Sequence, residues 1–169
     1  RAGIHSGDSI SVYPTSIIEE KYIQKIVDYT KRIAKELNIL GLFNIQFIIC
    51  DGEVYIIEVN PRASRTIPYI SKVTGLPVID VATRVILGEK LKDIGFGTGL
   101  YKKADYVAVK MPIFSFQKLK NADTSLGPEM KSTGEVLGVA KHFSEAILKA
   151  FIASGVNVVT KGKILVTVN

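Results

Sequence analysis

The sequence of 169 residues contains a single cysteine, Cys50, and this scarcity limits what the protein can be. One thiol excludes an internal disulfide and fits a reducing compartment, so the sequence predicts a cytoplasmic protein. Cys50 ends an apolar run, which favours a buried and inert thiol over a nucleophile.

Two further absences narrow the class of partner. No apolar stretch reaches membrane-spanning length, and the N-terminus lacks the layout of a signal peptide, so no membrane association is predicted. The formal net charge is +6, yet no run of five basic residues occurs and basic residues are not interleaved with aromatic ones. We therefore predict no nucleic-acid partner.

The hydrophobic content of 47% is ordinary for a globular chain that can bury a sizeable core.

Both ends of the chain are abrupt. The sequence begins with Arg1 in "RAGIHSGDSISVYP" and finishes in the strand-like "GKILVTVN". We expect it to be a fragment of something longer. Neither an internal repeat nor a low-complexity tract interrupts it.

Apolar spacing predicts six strands and four helices. Asp51-Gly52 lies between two β-rich runs and is a strong hairpin signal. Helical spacing from Glu19 to Asn38 predicts a long amphipathic helix. The predicted strands cover 6–13, 42–50, 53–59, 105–116, 134–140 and 164–168, and the predicted helices cover 19–38, 67–74, 78–87 and 144–153.

Polar side chains gather at the open end of the predicted hairpin. Gln46 lies about as far before the turn as Glu58 lies after it, and Asn60 shares the strand face of Glu58. Their oxygens suit a hard cation such as Mg²⁺, which takes one or two carboxylates together with water and phosphates. Two guanidinium groups follow at 62 and 65, and guanidinium groups suit phosphate or carboxylate oxygens. The alternative is that Glu58 merely ends a strand in solvent and that Asn60-Pro61 is an ordinary turn.

Three motifs carry a resemblance to a known family. "EVNPR" after a hairpin, with a Gln on the partner strand, resembles the ATP-grasp ligases. Together, "AGIHSGDS", "IEVNPRASRT" and "GPEMKSTGEVLG" resemble the large chains of carbamoyl phosphate synthetases. "GPEMKST" and the short spacing from Gln46 to Glu58 resemble the second, carbamate-phosphorylating half of those chains. The resemblance implies an α+β fold, the C-terminal lobe of an ATP-grasp fold, with a mainly antiparallel sheet flanked by helices.

The resemblance also implies roles for the polar residues. Gln46, Glu58 and Asn60 become ligands of Mg²⁺ or Mn²⁺, and Gln46 and Glu58 also lie near ATP or a K⁺ ion. Arg62 is assigned to the phosphates and Arg65 to carbamate. The residues assigned to the ribose and adenine side of the nucleotide are Gly3, Ile4, His5 and Ser6. For Gly127–Glu135, a structural turn and a substrate contact both remain open.

The activity implied by the resemblance is MgATP-dependent phosphorylation of carbamate to carbamoyl phosphate, for arginine and pyrimidine synthesis. Residues 1–152 would be the C-terminal portion of an ATP-grasp domain, and 153–169 the first strand region of a following allosteric domain. Implied partners are the front ATP-grasp lobe, the first ATP-grasp half, the allosteric domain and a small glutaminase subunit. The isolated chain is expected to be inactive. The alternatives are another ATP-grasp ligase, similar to biotin carboxylase, and a non-catalytic structural fragment.

Overall fold

The computed structural model describes residues 6–15, 17–118, 121, 123–159, 161–163 and 165–167. Within them the chain divides into two compact units. Among the described residues, the first unit comprises Ser6 and Pro14–Asp105, and the second combines Gly7–Tyr13 with the chain from Tyr106 onward. The division predicted at 152/153 concerns a longer polypeptide and stays a prediction. Ile164 and Val168, which bound the last predicted strand, lie outside the described residues.

The described helices and strands follow one another in the order that the apolar spacing predicts. The α-helices are α1 (Glu20–Glu36), α2 (Thr66–Thr74), α3 (Val78–Ile86) and α4 (Phe143–Ala153). The β-strands are β1 (Ser11–Tyr13), β2 (Asn44–Cys50), β3 (Glu53–Asn60), β4 (Val107–Ile113) and β5 (Gly134–Ala140). Short 3-10 turns occupy Ser6–Asp8, Leu91–Ile94 and Phe116–Lys118.

The first unit is built on the β2–β3 hairpin and the amphipathic helix α1. Asp51 and Gly52 both have positive φ, 49° and 79°, as the tightest hairpin turns require. Lys25 of α1 forms an ion pair with Glu53 beside the turn, and this contact lowers the pKa of the Glu53 carboxyl. The hairpin predicted from the Asp-Gly pair is confirmed, and α1 is fixed against its closed end.

Helices α2 and α3 follow the hairpin and contribute most of the buried side chains of the first unit. Tyr69 and Val73 of α2 and Ala82 of α3 are buried. Helix α2 ends at Gly75, which takes the left-handed conformation with φ 69° that a helix C-terminus favours. The buried apolar side chains of the first unit therefore lie mainly in α2 and α3, whereas α1 has no fully buried residue.

The second unit is a three-stranded antiparallel sheet covered by α4. The strand order is β1-β4-β5, so the N-terminal strand pairs with a strand from the second half of the chain. Gly138 lets α4 approach closely, because a Cβ there would overlap the carbonyl oxygen of Ala146 and the nitrogen of Ala150. The core of this unit consists of Val109, Met111, Ala140, Ala146 and Ala150.

Three sequence expectations are corrected by the structure. The strand predicted over 6–13 forms only at Ser11–Tyr13, because Ser6–Asp8 turns as a 3-10 helix. Helix α4 begins at Phe143 with His142 as its N-terminal flanking residue, one residue before the predicted start. Cys50 is exposed rather than buried, since it is the last residue of β2 at the turn. Among the described residues, no helix combines the length and apolar character of a bilayer span.

Candidate active site

Three polar side chains meet at the open end of the β2–β3 hairpin. Gln46 and Glu58 are directly opposite in the antiparallel ladder, and Asn60 is opposite Asn44 two positions further out. Gln46 Nε2 donates to Glu58 Oε1 at 2.7 Å, and Asn60 Nδ2 donates to the same oxygen at 2.8 Å. The structure thus brings together the three side chains that the sequence assigns to a metal site. Glu58 is exposed and the two amides are half-buried.

The donor set of this cluster fits a hard divalent cation. Glu58 supplies one carboxylate, and its oxygen Oε2 takes no part in the two amide contacts. Rotation of each terminal amide by half a turn would exchange its NH₂ for an oxygen of nearly the same shape and position. Mg²⁺ binds through one or two carboxylates and keeps places for water and phosphates. Among the described residues, no group of three or more His, Cys, Asp and Glu offers an alternative metal cluster.

A β-bulge underlies the pairing of Gln46 with Glu58. The ladder is regular from the turn to the pair Phe47–Ile56, and the next pair is Gln46–Glu58. Ile57 is therefore the extra residue of β3. Sequence reasoning found the approximate pairing of Gln46 and Glu58 but not the bulge.

Two arginines follow the cluster where β3 gives way to α2. The backbone N–H of Arg62 donates to the carbonyl oxygen of Asn60 at 2.8 Å, which closes a tight turn. Arg62 Nη1 donates to the carbonyl oxygen of Ala63 at 3.0 Å, and Arg62 and Arg65 are both exposed. Arg65 directly precedes α2. The turn thus places two cations within five residues of Asn60.

Ser64 provides a hydroxyl acceptor at the start of α2. Its Oγ accepts the backbone N–H of Thr66 at 3.3 Å. The hydroxyl of Thr66 does not cap this helix, because Thr66 is itself the first helical residue.

Of the residues predicted near the N-terminus to contact the nucleotide, the structure describes only Ser6. Gly3, Ile4 and His5 lie outside the described residues, and Ser6 opens the first 3-10 turn. The turn ends at Asp8, a buried carboxylate that sequence reasoning did not single out. Asp8 Oδ2 accepts the N–H of Lys131 at 2.8 Å, and Oδ1 accepts the N–H of Ser132 at 2.9 Å. Asp8 of "SGDS" is therefore joined to "GPEMKST" within the second unit.

The Gly127–Glu135 segment makes further polar contacts inside the same unit. Lys131 Nζ donates to Asp123 Oδ2 at 2.9 Å and to the carbonyl oxygen of Ser125 at 2.7 Å. Glu135 lies 3.5 Å from the buried ammonium of Lys110 on the neighbouring strand. These contacts favour the structural interpretation of this segment over a substrate contact.

Comparison with known proteins gives a close relative of much greater length. The chain is 62% identical, over 99% of its own residues, to the carbamoyl phosphate synthase large chain of Lachnoclostridium phytofermentans. It spans 16% of the length of that relative. The resemblance carried by the three sequence motifs is thus confirmed.

Solved structures with the same fold have low sequence identity. The biotin carboxylase domain of a single-chain bacterial carboxylase is similar with a TM-score of 0.57 and 16% identity, covering 78% of this chain and 36% of that chain. N5-carboxyaminoimidazole ribonucleotide synthetase from Thermotoga maritima is similar with a TM-score of 0.61 and 17% identity, covering 87% of this chain and 44% of that chain. These likenesses confirm the predicted α+β fold of the ATP-grasp type.

A family match completes the comparison. Residues 1–94, more than half of the chain, match the family described as "Carbamoyl-phosphate synthase L chain, ATP binding domain". This match includes the hairpin, the Gln46–Glu58–Asn60 cluster and both arginines. The chain therefore belongs to the family of carbamoyl-phosphate synthase L chain ATP-binding domains.

Proposed function

We propose that the chain supplies one wall of the cleft in which MgATP phosphorylates carbamate to carbamoyl phosphate. The observation that carries this proposal is the cluster of Gln46, Glu58 and Asn60, followed at once by Arg62 and Arg65, in a chain of this family. One anionic oxygen ligand, two amides and two cations form a set suited to metal-bound phosphates.

Glu58 and the two amides would hold Mg²⁺ or Mn²⁺. Glu58 Oε1 now accepts two amide N–H groups, so the cluster is held together by hydrogen bonds of 2.7 and 2.8 Å. Turning the amides would convert these two donors into oxygen ligands without moving either strand. When bound, the divalent ion would offset negative charge on the phosphates of ATP. A nearby K⁺ ion, implied by the sequence resemblance, stays a prediction.

The two arginines would neutralise and position the reacting anions. Arg62 is two residues from Asn60 and is held in a tight turn, so it suits the phosphates beside the cluster. Arg65 stands at the N-terminal end of α2 and suits the carbamate carboxylate. Phosphoryl transfer depends mainly on such positioning and on charge stabilisation. No general base is needed from this chain, because carbamate is already an anion.

The proposed setting is a longer polypeptide. We propose that a front ATP-grasp lobe, a first ATP-grasp half and an allosteric domain accompany this chain, together with a small glutaminase subunit. The chain spans 16% of the length of its relative, which supports the proposal of a longer polypeptide. A cytoplasmic location is proposed on the single cysteine, which suits a reducing compartment.

A different ATP-grasp ligase is the rival function. Likeness to biotin carboxylase is limited to 16% identity and therefore concerns the fold alone. The 62% identity to a carbamoyl phosphate synthase large chain favours carbamate.

The decisive experiment measures ATP formed from ADP and carbamoyl phosphate by the longest natural polypeptide that contains this chain. Glu58→Gln is the test variant, because it removes the carboxylate and keeps the shape of the side chain. Glu53→Gln is the matched control on the same strand, since Glu53 pairs with Lys25 at the other end of the hairpin.

We expect Mg²⁺-dependent ATP formation that disappears in Glu58→Gln and persists in Glu53→Gln. Acetyl phosphate should not replace carbamoyl phosphate. If a folded, ADP-binding parent forms no ATP, carbamate is the wrong substrate. If Glu58→Gln is as active as the parent, the cluster is not the metal site.

A further inference from the structure

The Gln46–Glu58 pair lies next to one unpaired residue of β3. Ile57 separates the regular pair Phe47–Ile56 from the pair Gln46–Glu58. The strand from the turn to Glu58 is thus one residue longer than the strand from Gln46 to the turn. The difference is absorbed by a β-bulge, which locally disrupts the ladder and shifts its alternation.

With the present number of residues in both strands, a ladder without the bulge would divide the site. Continued regularly from Phe47–Ile56, it would place Ile57 opposite Gln46. Successive side chains of a strand project to opposite faces, so Glu58 and Asn60 would then leave the face of Gln46. The carboxylate would lie on one side of the hairpin and one of its two amide partners on the other.

A separate observation shows the same shift of alternation. Ile56 and Val59 both line a groove of about 700 Å³ between β3 and α1, which α1 borders with Tyr29 and Ile33. In a regular strand, residues three positions apart face opposite sides. Their shared groove therefore agrees with an extra residue between them and does not depend on the hydrogen bonds of Glu58.

We infer that the bulge at Ile57 positions this site by absorbing the one extra residue of β3. It lets Ile56 and Val59 stay on the apolar groove face while Glu58 and Asn60 join Gln46 on the other face. The relevant property is the number of residues in the two strands, not the side chain of Ile57, which is 47% exposed. This inference rests on the proposed function, because it concerns the same metal site.

Two variants remove the bulge in opposite ways. Deletion of Ile57 makes the ladder regular and leaves Gln46 opposite Glu58 on the same face as now. Insertion of one alanine between Gln46 and Phe47 also makes the ladder regular, since the new residue pairs with Ile57. It sends Gln46, Glu58 and Asn60 to the groove face instead. Ile57→Val, which keeps the residue count, is the conservative control.

The measurement is the Mn²⁺-dependent affinity for ADP in the longest natural polypeptide, with thermal unfolding to show that each variant folds. We expect the deletion variant and Ile57→Val to keep Mn²⁺-dependent binding. The insertion variant should lose about 10- to 100-fold in affinity, the range seen when the surroundings of a metal ligand are disturbed. A role in hairpin stability alone would affect the two bulge-free variants alike.

The inference is overturned if the folded insertion variant binds as the parent does, or if the folded deletion variant loses as much affinity as the insertion variant. If the insertion variant does not fold, insertion of one alanine between Phe47 and Ile48 takes its place, because it also makes the ladder regular and sends Gln46, Glu58 and Asn60 to the groove face. Lost binding in that folded variant supports the inference, and retained binding overturns it. Glu58→Gln separates this result from the proposed function. Unchanged Mn²⁺-dependent binding in Glu58→Gln would reject the metal site itself. If Glu58→Gln loses this binding and the insertion variant keeps it, only the role of the bulge is rejected.

Discussion

Asp8 and Ser132 are 124 positions apart in the sequence, yet the buried carboxylate of Asp8 accepts the backbone N–H of Ser132 at 2.9 Å. Its second oxygen accepts the N–H of Lys131 at 2.8 Å. A carboxylate that accepts two backbone N–H groups in a buried place forms strong, charge-assisted bonds. Asp8 therefore anchors the Gly127–Glu135 segment to the N-terminal turn.

Asp8→Ala should destabilise the second unit by about 3 kcal/mol, because two backbone N–H groups lose a charged acceptor. Asp8→Asn should cost less, since its amide retains one acceptor oxygen. The measurement is the free energy of unfolding in urea. Asp105→Ala, at an exposed position, is the control and should change stability by less than about 0.5 kcal/mol. Equal stability of the Asp8 and Asp105 variants would contradict the anchoring role.

Gly138→Ala should destabilise the contact of β5 with α4 by about 2 kcal/mol or more, as overpacking does. The new methyl group would meet backbone atoms of Ala146 and Ala150, which cannot move aside like a side chain. Gly134→Ala on the same strand is the control, since its nearest neighbour would be Ile113 Cβ at 3.8 Å. Thermal unfolding of both variants checks the difference, and equal melting temperatures would refute it.

Glu135→Gln should cost about 3 kcal/mol, because it leaves the buried ammonium of Lys110 without a charged partner. The two groups are 3.5 Å apart, with side-chain exposures of 9% for Lys110 and 22% for Glu135. Lys110→Met/Glu135→Gln should recover most of the loss, since no unpaired buried cation remains. Chemical unfolding of the single and double variants tests this.

The exposed pair Glu145–Lys149 provides the control for that measurement. The side chains of Glu145 and Lys149 are 52% and 51% exposed, so Glu145→Gln should change stability by less than about 0.5 kcal/mol. A Glu135→Gln variant that unfolds no more easily than Glu145→Gln would show that the buried ion pair contributes little.

Asp123 should titrate at unusually low pH. The backbone N–H of Ser125 and the ammonium of Lys131 lower the pKa of Asp123 from 3.8 to about 2. Because the pKa is lower in the folded chain, its stabilising contribution is complete above pH 3.8 and is lost as pH falls through about 2. The carboxyl chemical shift in NMR should have its midpoint near that value. Lys131→Met should raise the midpoint, and an unchanged midpoint would remove Lys131 as a cause.

Gln46→Glu should make the hairpin respond more strongly to divalent cations. The new carboxylate would lie beside Glu58, where Gln46 Nε2 now donates at 2.7 Å, and two adjacent carboxylates repel each other. Without metal the variant should melt below the parent, and Mn²⁺ should raise its melting temperature more than that of the parent. Cys50→Glu, near the turn, provides a control away from the cluster. An equal response to Mn²⁺ in all three proteins would contradict a cation site at Glu58.

Local sequence signals predict much of this fold. The Asp51-Gly52 turn, the helical spacing of α1 and the strand at Gly134–Ala140 all follow from contacts between near neighbours in sequence. The polar set at Gln46, Glu58 and Asn60 is found in the same way, because the hairpin turn fixes an approximate register.

Features that depend on distant partners are not predicted. Ser6–Asp8 turns away from the strand pattern, and there Asp8 bonds with residues more than 120 positions later. The bulge at Ile57 is not predicted, because the faces of the β3 side chains on either side of it depend on packing against α1. The burial of Lys110 is not predicted either, because its ionic partner Glu135 lies on the neighbouring strand, 25 positions later in the sequence.

The pairing of β1 with β4 has a consequence for the order of folding during synthesis. Ser11 pairs with Lys110, so at ribosomal rates of about 5–20 residues per second β1 leaves the ribosome roughly 5–20 seconds before its partner strand. The β2–β3 hairpin and α1 are complete long before that moment. The hairpin and α1 can therefore form while β1 is still unpaired. Slow translation between β1 and β4 would prolong the time for which β1 is open to misfolding or chaperone capture.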